Sequence, residues 1–317
     1  MLNNKEVILM YFPYLRGKTF ELIALREVAA KLNPNKVIPI IEPVKEKTNP
    51  LATTILALNT EGIRPHIVVN PEVGDLTNTS IQSVYTGLDS PEVSFVPCIR
   101  VNNQNLALVL PFLQQLQNDG VDFSLFIQEP VDNTIAPFLT ISVANIIKDL
   151  NSYPSTYANS IPKSVVLTAS FPWKVRNADY IDQPVFFSDA HITYKQPLIS
   201  GQIGFGDYLM VHDGWTTGGG PAYVVTLHLT YILNQDRYMY VRHCRSVSDS
   251  DNQSNAPKKF QEALSTLLQF ANNEPSVDRT TLGYKGLLAL HGKPFPQLAV
   301  PKKFSMMHHL ETVSNYI

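Results

Sequence analysis

The sequence predicts an α/β fold of repeated strand–helix units, a (β/α)8 TIM-barrel-like core with an irregular second half and a C-terminal β-hairpin and helices. Three observations carry this. Short apolar runs begin at residues 8, 37, 66, 95 and 124, one every 29 residues. Helix-like segments lie between them. Eight strand candidates occur before residue 212, the number a barrel needs. A doubly wound open sheet is the competing arrangement.

The runs are Ile8–Phe12, Val37–Ile41, His66–Val69, Phe95–Ile99 and Ser124–Ile127. Short, continuously apolar strands suit a parallel sheet buried on both faces. The intervening segment 19–32 places Phe20, Ile23, Ala24, Glu27 and Ala30 at helical spacing, with Thr19 as cap and Asn33-Pro34 as stop. Segments 50–60, 76–87, 104–117 and 137–150 read as further helices. A unit of this size matches a βα repeat.

The later strand candidates are Val165–Thr168, Val185–Ser188 and Tyr208–Val211. Segments 171–184 and 192–207 read as long loops, because they hold Pro, Gly and Asp without a helical stripe. After a Gly218–Pro221 turn, the runs Tyr223–Tyr231 and Tyr238–Val241 read as a hairpin. Helices are expected near 257–272, 279–290 and from 304. The division expected is a barrel core over 1–222 and an elaboration over 223–317.

Composition narrows the function classes. The formal net charge is −2 and charged residues make up 16% of the chain, so bulk electrostatics give no support for direct nucleic-acid binding. Cys98 and Cys244 are the two cysteines, which is neither a disulfide framework nor a zinc pattern. No apolar stretch approaches the ~20 residues of a membrane span. No membrane partner and a cytoplasmic location are the expectations. There is no P-loop, no G-x-G-x-x-G after a strand, no H-E-x-x-H and no G-x-S-x-G. No cofactor and no metal set can be named.

In parallel α/β folds the chemistry gathers at the carboxyl ends of the strands. Polar residues just after the apolar runs are Tyr14, Arg16 and Lys18, then Glu42, then Asn70 and Glu72, then Arg100 and Asn102, then Gln128 and Glu129, with Asp189 and Asp213 later. Glu42 leads the catalytic candidates, because it ends an apolar strand before Pro43, and Glu129-Pro130 repeats the pattern. Asp207 and His228 are candidate assistants in acid–base work. Arg16, Lys18, Arg100 and Arg242 are candidate anion holders, with Glu129 and Asp189 as further ligand contacts. Each has a plainer reading: loop-capping carboxylates, a turn aspartate after glycine, a core histidine, a solvated strand end. His308 and Glu311 share a helix face, and helix packing is the better account of them.

Several stretches resemble the bacterial and phage "beta protein" family. They are Tyr11-x-Pro13-Tyr14-Leu15-Arg16-Gly17-Lys18, Pro39-Ile40-Ile41-Glu42-Pro43, Gly204-Phe205-Gly206-Asp207-Tyr208, Thr226-Leu227-His228-Leu229 and Phe304–Glu311. The resemblance implies a role in phage defence or a mobile element beside a small nuclease-like companion. It transfers no residue role. Two functions follow as expectations: a barrel hydrolase acting on a phosphorylated, nucleotide-like or sugar-like small molecule, or a non-catalytic recognition or regulatory subunit for the nuclease-like partner.

Overall fold

A computed structural model describes residues 10–88, 90–215 and 223–317. The start of the first apolar run and the Gly218–Pro221 turn lie outside the described residues. The chain forms two compact units. The first holds residues up to Leu22, Asn33–Ala169 and Thr193–Tyr208, and the second holds Ile23–Leu32, Ser170–Ile192 and Leu209–Ile317.

The first unit is a curled parallel half-barrel sheet flanked by helices. Its strand segments are β1 (Met10–Tyr11), β2 (Tyr14–Leu15), β3 (Ile40–Ile41), β4 (His66–Val68), β5 (Val96–Val101), β6 (Ser124–Ile127), β7 (Ala144–Lys148) and β8 (Ser164–Thr168). The chain then makes β9 (Pro184–Ser188) in the second unit and returns with β10 (Gln202–Asp207). The sheet order is β1-β10-β8-β7-β6-β5-β4-β3-β2, every pair parallel. The connecting helices are α1 (Thr19–Val28), which runs on into the second unit, α2 (Asn49–Thr60), α3 (Ile81–Thr86), α4 (Leu106–Asn118), α5 (Ala136–Ile141) and α6 (Ser155–Ser160). Pro50 starts α2, where its missing N–H costs nothing. The Ser80 side chain caps α3 by accepting from Ser83 N–H at 3.1 Å.

Three expectations are corrected here. Segment 137–150 is not one helix. The short α5 ends at Ile141, and the buried run Ala144–Ile147 enters the sheet as β7. The β-branched Val143, Ile146 and Ile147 fit a pleated surface better than a helix. The segment before Tyr208 is not all loop. Gln202–Asp207 is a strand and Tyr208–Val211 is not. Its glycines are required by packing, since a Cβ at Gly204 would overlap the Phe12 ring and one at Gly206 the Phe12 carbonyl. Val185–Ser188 pairs outside the parallel sheet altogether.

That strand, β9, is an edge of the second unit's antiparallel sheet, ordered β11-β12-β9 with β11 (Thr226–Ile232) and β12 (Met239–Arg245). The expected hairpin is this β11–β12 pair. The unit's helices are α7 (Ala190–Thr193), α8 (Ala256–Asn273), α9 (Leu282–Ala289) and α10 (Ala299–Tyr316). Phe260, Leu264, Leu267 and Ala271 of α8 pack on Leu227, Leu229, Tyr231 and Cys244 of the sheet. Lys303 of α10 reaches Glu27 at 2.7 Å. Among the described residues no helix is long and apolar enough to cross a membrane.

Candidate functional site

The residues that follow β2 and β3, together with one face of β5, build a connected polar cluster. Glu42, just past β3, is 1% exposed. The Tyr14 hydroxyl donates to its Oε2 at 2.6 Å, and the Glu72 backbone N–H donates to its Oε1 at 3.1 Å. Arg100 Nη2 lies 3.1 Å from Oε1, and Arg16 Nε lies 3.9 Å from Oε2. Arg100 Nη2 also donates to the Tyr14 hydroxyl at 2.6 Å. A buried carboxylate needs this number of partners, because desolvation otherwise makes its charge prohibitive.

Arg100 is the centre of the cluster. Its guanidinium lies over the Phe126 ring at 4.5 Å. Its Nη1 reaches Glu72 at 3.5 Å. Glu72 is in turn held by Gln128 Nε2 at 2.7 Å from both carboxylate oxygens, and Gln128 by Asn102 at 3.0 Å. The Asn70 side chain accepts from Arg100 N–H and donates to Arg100 C=O, each at 2.8 Å, as a neighbouring strand would. Burial opposes the Arg100 charge, but Tyr14, Glu42 and Glu72 outweigh it and push its pKa up. Burial raises the Tyr14 pKa well above its ordinary value; Arg100 opposes this and Glu42 reinforces it, so the phenol keeps its proton. Arg100 Nε is buried with no hydrogen-bond partner among the described residues.

Around this core Tyr208 packs on Tyr14 at 5.0 Å, and Lys148 Nζ sits 5.8 Å from the Tyr208 ring. Arg16, Arg100 and Lys148 stand near Glu42 and Glu72, and the buried Glu21 carboxylate accepts from the Arg16 backbone N–H at 2.6 Å. The Arg16 and Arg100 side chains are 11% and 10% exposed, so each keeps a narrow face open. These exposed edges are cationic, the chemistry that receives an anion.

Of the sequence candidates, Glu42, Arg16 and Arg100 come together. Asp207 does not join them. Alternation along β10 puts Phe205 and Asp207 on the face that packs on Tyr11, whose hydroxyl donates to Asp207 at 2.8 Å, while Gly206 and Tyr208 face Phe12 and Tyr14. Glu129 is exposed and accepts from the Asn103 backbone and side-chain amides at 2.8 and 3.0 Å, a loop clasp. Lys18 is half-buried, and its carbonyl accepts from Leu22 N–H as α1 begins. Lys148 and Tyr208 were missed as site residues, the first because its strand read as helix. The β-branched Val143–Ile147 run was the available signal.

The remaining candidates belong to the second unit. His228 Nδ1 lies 2.8 Å from His243 Nδ1 across the β11–β12 ladder, and Tyr180 and Phe171 pack on both rings. Burial lowers the pKa of both, His243 to about 4. Arg242 pairs with Asp182 at 2.8 Å. Asp189 is half-buried just before α7. His308 bonds Thr281 and the Thr230 carbonyl, and Glu311 accepts from Leu282 and Gly283 N–H at the start of α9, so both serve packing. Among the described residues no group of three or more His, Cys, Asp or Glu is arranged to hold a metal ion.

Comparison with protein-family models, with curated proteins and with solved structures finds no match.

Proposed function

We propose that the parallel sheet closes into a (β/α)8 barrel and that the chain binds a small anionic molecule, phosphorylated or nucleotide-like, at its strand-end mouth. Closure is supported by the single run 10–15. Its β1 pairs with β10 and its β2 with β3, the two ends of the sheet order, and Tyr11 also bridges Val37. Anion binding is supported by one observation: the Arg16 and Arg100 side chains, paired with Glu42, each keep about a tenth of their surface exposed beside one another.

Both Glu42 oxygens are already engaged by hydrogen bonds and ion pairs. This favours recognition over acid–base turnover, so the subunit reading, a regulator of a nuclease-like companion in phage defence, ranks ahead of the hydrolase. The resemblance to the beta protein family supplies that setting. In the hydrolase reading Tyr14 and Glu42 would be the proton-handling pair.

Calorimetric titration with inorganic phosphate, pyrophosphate and a nucleoside monophosphate tests the binding. Saturable binding of at least one, weakened by ~10-fold or more in Arg100→Gln, is expected. Absence of binding by all three would sink the proposal.

A further inference from the structure

A cavity lies beside the polar cluster and shares Asn70 and Glu72 with it, between the residues that follow β4 and helix α4. It encloses about 670 Å³, within the range of small-molecule sites. Its apolar wall is made by Pro71, Ile81, Leu108, Val109, Pro111 and Phe112. The α4 surface explains why it is there. An amphipathic surface helix turns polar residues outward. The second half of α4 does so, exposing Gln114, Gln115, Gln117 and Asn118. The first half exposes Ala107, Leu108 and Pro111 instead, and Leu108 is 74% exposed. Leu108 and Pro111 of that surface line the cavity.

Much of the polar lining is committed elsewhere. Asn70 and Asn105 bond the Arg100 backbone, Thr77 bonds the Gly74 carbonyl, and Ser80 caps α3. Glu72 is the one charged residue among the described lining residues, and its side chain is 44% exposed. Gln128 and Arg100 hold the carboxylate, and its exposed part is open to solvent. An apolar trough with a carboxylate at its edge and no cation in its lining complements a molecule of the opposite design: an apolar body ending in a positive charge.

We infer that this cavity is a binding site for a small amphipathic organic cation, an aryl- or alkylammonium, with its apolar body against Leu108, Val109 and Phe112 and its charge on Glu72. This is a different ligand class from the anion of the barrel mouth, and the two sites meet at Glu72.

The test is titration of the full chain with phenylbutylammonium, phenylbutanol and phenylbutanoate, which share one apolar body and differ in charge, followed by calorimetry and by methyl shifts of Leu108 and Val109. The expected order is ammonium, alcohol, carboxylate, with ~10-fold or more between the first and last. Glu72→Gln should bring ammonium down to the level of alcohol. Leu108→Gln, at an exposed position that does not threaten folding, should weaken all three several-fold. Binding of the carboxylate as tightly as the ammonium, survival of the ammonium preference in Glu72→Gln, indifference to Leu108→Gln, or no binding by any of the three would each overturn the inference.

Discussion

The Tyr14 hydroxyl donates a hydrogen bond to Glu42 Oε2 and accepts one from Arg100 Nη2, both at 2.6 Å, so one phenol joins a buried carboxylate to a buried guanidinium. Removing that oxygen leaves two charged groups each short of a partner. Tyr14→Phe is expected to lower stability by about 1–3 kcal/mol in urea unfolding and to weaken phosphate binding in the same variant. A neutral effect on both would mean that the bridge does nothing.

Glu42 is the counter-charge on which Arg100 depends. Glu42→Ala leaves a guanidinium whose side chain is 10% exposed with the more distant, half-exposed Glu72 as its remaining carboxylate contact. A loss of about 3–5 kcal/mol is expected, the cost of breaking a buried pair from one side. Glu42→Ala combined with Arg100→Met should recover part of it, because the stranded charge is then gone. A double variant as unstable as the sum of the two single ones would show that the pair is not coupled.

Gly206→Ala probes the packing that hid β10 from the sequence. The added methyl meets the Phe12 carbonyl and the Leu167 side chain. Overpacking of this kind costs about 1–3 kcal/mol. A melting temperature equal to that of the parent would contradict the close approach.

The histidines of the second unit set a pH dependence. Burial holds His243 and His308 at about 4 when folded, against about 6.5 in the unfolded chain. The unfolded state therefore binds protons that the folded state refuses. The stability these groups contribute is fully present above about pH 6.5 and falls as pH drops toward 4. Unfolding midpoints measured at pH 7, 5.5 and 4.5 should decline in that order, and His243→Gln should flatten the decline. A midpoint that rises on acidification would reverse the sign argued here.

Much of the parallel sheet was legible because its strands are short, apolar and evenly spaced. What failed was the spacing itself. From β6 to β8 the strands start at 124, 144 and 164, since α5 and α6 have six residues each. A reading tuned to the earlier repeat turned β7 into helix and lost Lys148 with it. Strand β10 was lost for the opposite reason. Glycine reads as turn chemistry in isolation, and only the Phe12 ring and backbone alongside explain Gly204 and Gly206. With the strand expected at 208–211, Asp207 falls before it, whereas it closes β10, where the pleat turns it to Tyr11. Glu42, Arg16 and Arg100 were legible because each follows an apolar run in the sequence, at the strand ends where parallel α/β folds gather their polar groups. Tyr14 was visible at the rim, but its bridging role depends on a contact with a residue 86 positions away.

Asn70 stands two residues past β4. Its amide grips both backbone polar groups of Arg100, and its side chain also lines the cavity beside α4. The carboxamide is the one group of that size that gives and takes a hydrogen bond at once. An aspartate, differing by a single atom, would set oxygen against oxygen at the Arg100 carbonyl. Position 70 thus ties the loop after β4 to the backbone of β5, next to the cavity beside α4.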